Sequence, residues 1–292
     1  MRFRGVFRRL AALTIIVLLA GGCLPSKKLT VISAAALLED ISRASARQSD
    51  LRIVREGMPA YLLLMDGMAE AWPDNERILL GAAQGYASFA AAFIAEEDKE
   101  YAGVLTAKSK RYALRALELR GFQNLYSKSV DDFKTGLEDI GRKDLPFLFW
   151  AASCWGSWIG LNLDSMAALA DLPKVEAMMR RALALDPGFY YGGPHLFMGI
   201  WYASQPSIAG GNLARSREHF LKAREFGKGQ FLMTDVYFSQ YLARKAFDRD
   251  LFVATLQKVL DTPADINPDL TLLNTVARRR AQQMLEQVDD YF

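Results

Sequence analysis

Ala182-Leu183-Ala184-Leu185-Asp186-Pro187 is the stretch that decides the fold. A small residue near the close of an amphipathic helix lets that helix approach a neighbour, the leucines enter a core, and the proline ends the helix. The same ending returns in weaker form at Ala116-Leu117-Glu118-Leu119, at Ala223 followed by Phe226 and Gly227, and at Val259-Leu260-Asp261 ahead of Pro263. Outward from these endings, apolar residues recur at three and four over 31–47, 51–71, 75–95, 99–119, 145–163, 173–185, 194–204, 213–226, 230–247, 250–260 and 268–288. Alternating runs are few, so the chain reads as all-α. Asp74, Asp171 with Pro173, and Asn212 mark helix starts, while Pro73, Gly121, Pro187, Gly227 and Pro263 mark stops. Residues 121–144, rich in charge, read as a loop carrying a short helix.

These endings resemble helix B of a tetratricopeptide repeat, and an earlier version surrounds Gly67 and Pro73. Tyr86 stands where helix A of such a repeat takes an aromatic, and Met198, Gly199 and Tyr202 fit its leucine, glycine and tyrosine positions with a short slip. The small residues lie about 49, 66, 41 and 36 positions apart, against about 34 in a regular repeat. The expectation is a degenerate tetratricopeptide-like superhelix over residues 31–265, with 266–292 as a C-terminal capping helix.

The amino end carries a different signal. Arg2, Arg4, Arg8 and Arg9 precede an apolar run from Leu10 to Ala20, and Gly21 and Gly22 lead into Cys23. That is the layout of a lipoprotein signal peptide, too short for a membrane span, although Leu19 and Ala20 depart from the ideal cleavage pattern. Residues 1–22 are the expected signal, Cys23 the expected lipidation site, and 23–30 a tether. Leu24 after the cysteine favours sorting to an outer membrane.

Removing the signal takes four of 36 basic residues and none of 33 acidic ones, so the basic balance disappears and nucleic acid is not an expected partner. Arg278, Arg279 and Arg280 read as the solvated face of the final helix. Cys154, among Trp150, Trp155 and Trp158, reads as a small buried hydrophobe. The chain has two histidines, His195 and His219, in no metal-ligand spacing, and it carries no nucleophile elbow or phosphate loop. His219 falls on an amphipathic helix as a surface or interface residue. Neither enzymatic activity, nor a metal, nor a cofactor is expected.

The densest candidate for binding is Phe189-Tyr190-Tyr191-Gly192-Gly193-Pro194-His195, followed by Trp201, Tyr202 and Ile208-Ala209-Gly210-Gly211-Asn212. Paired glycines allow tight turns and close approach, and aromatic rings offer apolar bodies with polar tips. Tyr190, Tyr191, His195, Trp201 and Tyr202 are the candidate ligand-binding residues, weighed against an ordinary place in the core.

From Ala182 to Leu260, the order of Ala-Leu-x-Leu-Asp-Pro, Tyr-Gly-Gly-Pro-His, Gly-Gly-Asn-Leu-Ala-Arg-Ser-Arg-Glu-His-Phe, Phe231-Leu232-Met233-Thr234 and Leu251-Phe252 resembles the TatT family, T-component lipoproteins that accompany TRAP transporters. The resemblance implies a periplasmic, membrane-tethered, non-enzymatic protein that forms a ring-like homotrimer with a central pore. It further implies a TRAP-type substrate-binding protein as partner and a small hydrophobic or carboxylate ligand. The residues themselves leave two readings open: such an accessory, or an envelope scaffold that binds only other proteins. An enclosed apolar cavity would favour the first, an open polar concave face the second.

Overall fold

The computed structural model describes residues 26–292. The expected signal peptide and Cys23 lie outside the described residues. Helices follow in order as α1 (Ser26–Ala46), α2 (Leu51–Ala71), α3 (Glu76–Phe89), α4 (Lys99–Leu119), α5 (Val130–Leu137), α6 (Leu145–Leu161), α7 (Met166–Ala170) and α8 (Leu172–Leu185). Then come α9 (Phe189–Ser204), α10 (Leu213–Phe226), α11 (Met233–Tyr237), α12 (Arg249–Asp261), α13 (Thr271–Glu286) and α14 (Val288–Tyr291). Among the described residues there is no strand, and the chain is all-α. Residues 26–30, expected as tether, belong to α1.

Helix limits follow local chemistry. Asp50 opens α2 by accepting from the amides of Arg52 and Ile53, and Asn212 opens α10 by accepting from that of Arg215. At α3 the cap is Asn75 rather than the expected Asp74, which instead pairs with Arg115 Nη2 at 3.0 Å. The segment 121–144 does carry a short helix, α5, opened by Ser129. It is firmly packed: Phe133 and Ile140 are fully buried, and Arg181 Nη2 donates to Ile140 O at 2.7 Å.

Two helices end in π turns, Ala90–Ile94 after α3 and Phe238–Ala243 after α11. Ala95 N bonds to Ala90 O at 2.9 Å, and Arg244 N bonds to Ser239 O at 3.0 Å, both five residues back. Insertions of this kind recur at functional sites. The continuous stretch Glu76–Ile94 is long and apolar enough to cross a membrane, yet its Ala82, Ala83, Tyr86 and Phe89 are buried in the core.

Packing is mostly between elements close in the chain: α2 on α3, α3 on α4, α4 on α6, α6 on α8 and α9 on α10. Small residues make these approaches possible. Ala113, Ala116, Ala182 and Ala223 are fully buried, and a side chain at Gly199 would stand 2.9 Å from the Phe220 ring.

The two ends of the chain then meet, because α13 packs against α1 and α2 as well as α12. Arg47 Nε donates to Asp269 Oδ1 at 2.7 Å across 222 residues. Here the arginine run departs from the expected solvated face. Arg278 donates to Leu260 O, Arg279 to Ala92 O, and Arg280 Nη2 to Ala91 O at 2.6 Å. Carbonyls left free at helix ends accept these charges, and Glu96 offsets Arg280 at 2.8 Å. Asn274, with no exposed surface, pins the same corner. Its Oδ1 accepts from Leu232 N at 3.0 Å, while Nδ2 donates to Gln230 O and Ala264 O.

Candidate functional site

The entry to α9 has the longest left-handed run of backbone among the described residues. Tyr190 (φ 48°, ψ 56°), Tyr191 (φ 58°, ψ 35°) and Gly192 (φ 79°, ψ 24°) are all left-handed in succession. Glycine accepts this freely, whereas each tyrosine pays roughly 1–2 kcal/mol for it. A Cβ at Gly192 would lie 2.9 Å from Ala223 Cα and 3.0 Å from its carbonyl oxygen, so α10 passes too close for any larger residue. The chain turns here and the right-handed helix resumes at Gly193, close to the expected start at 194.

That turn sets Tyr190 against Trp150 and Phe149, with ring centroids 5.1 Å and 5.7 Å away, and Tyr191 against Phe231 at 5.9 Å. Phe189 meets Phe149 edge-on at 5.2 Å. Together these rings form one aromatic wall whose pairs favour edge-on and tilted geometries. Burial first, then Tyr191, pushes the Tyr190 hydroxyl up to about 12, so it remains a neutral donor.

In front of the wall lies a half-open cavity of about 280 Å³. Trp150 and Tyr190 line one side, Met58 and Tyr61 of α2 another, and Leu272 and Leu273 of α13 a third. Gly81, Gln84, Gly85 and Ser88 of α3 complete it, with Ser42, Ser45 and Ala46 of α1. A Cβ at Gly85 would stand 3.0 Å from Leu62 and 3.1 Å from Tyr61, so the glycine lets α2 and α3 close up behind the cavity. Burial raises the Tyr61 hydroxyl, and a hydrogen bond with Ser42 partly offsets it. The result is an apolar chamber with a few convergent hydroxyl and amide groups, the ordinary make-up of a small-molecule site.

Of the residues expected from sequence, Tyr190 lines this cavity and Tyr191 braces it from behind. The other three sit elsewhere. His195 is buried, stacked on Phe226 at 5.6 Å, with its Nδ1 2.9 Å from that of His219. His219, expected as a surface or interface residue, is half-buried and faces this buried partner. Tyr202 is buried, and its hydroxyl accepts from Arg180 Nη2 at 2.9 Å. Trp201 is half-buried and stacks on Phe197 at 6.3 Å. Helical spacing along α9 carries His195 and Tyr202 round to the α10 side, while Trp201 shares a face with Phe197, which packs at Gly156 of α6. Tyr61, Gln84, Trp150, Leu272 and Leu273 were missed. The four-residue spacing of Gly81 and Gly85 was the one local sign available.

Cys154 is free and buried, and burial pushes its thiol up to about 12. It behaves as a small hydrophobe. Among the described residues, no three of His, Cys, Asp and Glu gather as a metal site.

A family model described as TRAP transporter T-component matches residues 47–292, which takes in every described helix after α1. No curated protein matches the chain.

Proposed function

The chain belongs to the TRAP transporter T-component family, an envelope-associated transport accessory rather than an enzyme family, and from that premise we propose how it acts. It is a lipoprotein held to the periplasmic side of a membrane, the outer one by its Leu24, through acyl chains on Cys23. Its helices are degenerate tetratricopeptide-like repeats, and three copies form a ring. It binds the TRAP substrate-binding protein and takes a small hydrophobic or carboxylate ligand into the aromatic cavity.

The single observation that carries the ligand is the left-handed Tyr190-Tyr191 pair. Two strained tyrosines persist only where the surroundings over-determine them, and such strain collects at functional sites. Here it sets a ring on the wall of an apolar cavity. Leu63 and Leu64, 72% and 57% exposed on α2, support a protein contact besides.

Two measurements test this. A tagged full-length chain, purified from its own cells, should bring down a TRAP-type binding protein; recovery of unrelated envelope proteins instead favours the scaffold. Titration of the hydrophobic probe 1-anilinonaphthalene should quench Trp150 and be weakened by Tyr190→Ala, with helicity unchanged by circular dichroism. If that variant binds the probe as the parent does, the cavity assignment is wrong.

A further inference from the structure

A second cavity, about 550 Å³, lies where the two π turns face α13 and α14. Arg244, Arg279 and Arg280 line it, with Glu96 and Glu97. Both carboxylates are already answered. Arg280 Nε lies 2.8 Å from Glu96, and Arg55 Nη1 donates to Glu97 at 2.8 Å from outside the lining. Arg244 and Arg279 therefore have no salt-bridge partner among the described residues.

Each already makes one contact and keeps further donors unused. Arg244 lies over the Tyr291 ring, 4.1 Å from its centroid, and is otherwise open at the mouth. Arg279 gives one Nη2 bond to Ala92 O, while its Nε is buried with no acceptor. A buried donor without a partner costs free energy that an incoming acceptor would recover. Burial depresses Arg279, and Arg280 adds to this, although Glu96 and Glu97 act the other way. The two π turns, at 90–94 and 238–243, both contribute to this lining. Phe93, Ile94 and Met284 give the chamber an apolar side, and its volume suits a small molecule rather than a bare ion.

We propose that this cavity binds a small organic oxyanion, with the anionic group between Arg244 and Arg279 and the body against Phe93, Ile94 and Met284. Carboxylates and phosphate esters share the chemistry that guanidinium groups recognise. This site needs nothing from the aromatic cavity or from the transport role, and it stands or falls without them.

Full-length protein in detergent is titrated calorimetrically with benzoate, phenyl phosphate and inorganic phosphate at constant ionic strength. Benzoate or phenyl phosphate should bind saturably, and which of them binds tells a carboxylate from a phosphate ester. Arg244→Gln and Arg279→Gln should each weaken that binding at least about tenfold, since a hydrogen bond to charge is lost. Leu163→Ala, an exposed position outside the lining of either cavity, should leave it unchanged. If Arg279→Gln fails to fold, Arg244→Gln decides, because Arg244 holds no main-chain group. No saturable binding, or unchanged binding in Arg244→Gln, overturns the site. Inorganic phosphate binding as tightly as phenyl phosphate overturns the role of the apolar wall.

Discussion

His195 and His219 place their Nδ1 atoms 2.9 Å apart, so one ring supplies the proton and the other must accept it. The accepting ring has to stay neutral for that, and protonating both would set two donors against each other. Burial, then His219 and Lys222, lowers His195 to about 4, and burial followed by Lys222 and Arg180 lowers His219. Glu218 works the other way on His219.

The sign of the pH effect follows. Unfolded histidine titrates near 6.5 and folded His195 near 4, so acid drives protons onto the unfolded chain. The contribution is whole above about 6.5 and fades as the pH falls towards about 4. Thermal melts at pH 7, 6 and 5 should show a falling midpoint, and His195→Gln with His219→Gln should flatten it. Equal slopes in parent and double variant would sink this account.

Gly192→Ala should destabilise the protein by about 2–4 kcal/mol, combining left-handed strain with overpacking against Ala223. Urea unfolding followed by circular dichroism measures it. A change below about 1 kcal/mol would mean that α10 moves aside at little cost.

Asn274→Leu should cost about 2–4 kcal/mol, because Leu232 N, Gln230 O and Ala264 O lose their shared partner. The loss should concentrate locally. Hydrogen exchange at Leu232 and its neighbours should rise before exchange in α4 does, and uniform acceleration would contradict the pinning role.

Phe220→Ala should cost about 3–5 kcal/mol. The ring is almost wholly buried between Gly199 and the edge of Phe238, 5.6 Å from its centroid, and Gly199 offers no side chain to fill the gap. Denaturant midpoints in parent and variant settle the figure.

How legible was all this in the chain itself? Limits at 51–71, 99–119 and 213–226 are the observed ones, because Asp50, Asp98 and Asn212 cap helices whose apolar spacing is unbroken. Periodicity records which face of a helix is buried; over the charge-rich 121–144 it marks none, although α5 buries Phe133 and Leu137 there. It does not record which distant helix supplies the other side. Tyr61, Trp150 and Leu272 meet at one cavity from three remote positions, with no local mark on any of them. Tyr190 was visible because glycines announce a turn; that His195 faces away from the wall depends on the angle at which α9 leaves that turn. The arginines at 278–280 look like solvated charge because their partners are main-chain carbonyls, to which sequence gives no letter.

The meeting of α13 with α1 and α2 has a consequence for how the protein comes to exist. Chain closure over more than 200 residues is entropically dear, though the cost grows only with the logarithm of length. The helices from α1 to α12 can assemble through near neighbours as they emerge, but Leu272 and Leu273 complete the aromatic chamber only after almost the whole chain has been delivered. That chamber is thus completed late in synthesis, and any chain cut short before α13 leaves it with one side missing.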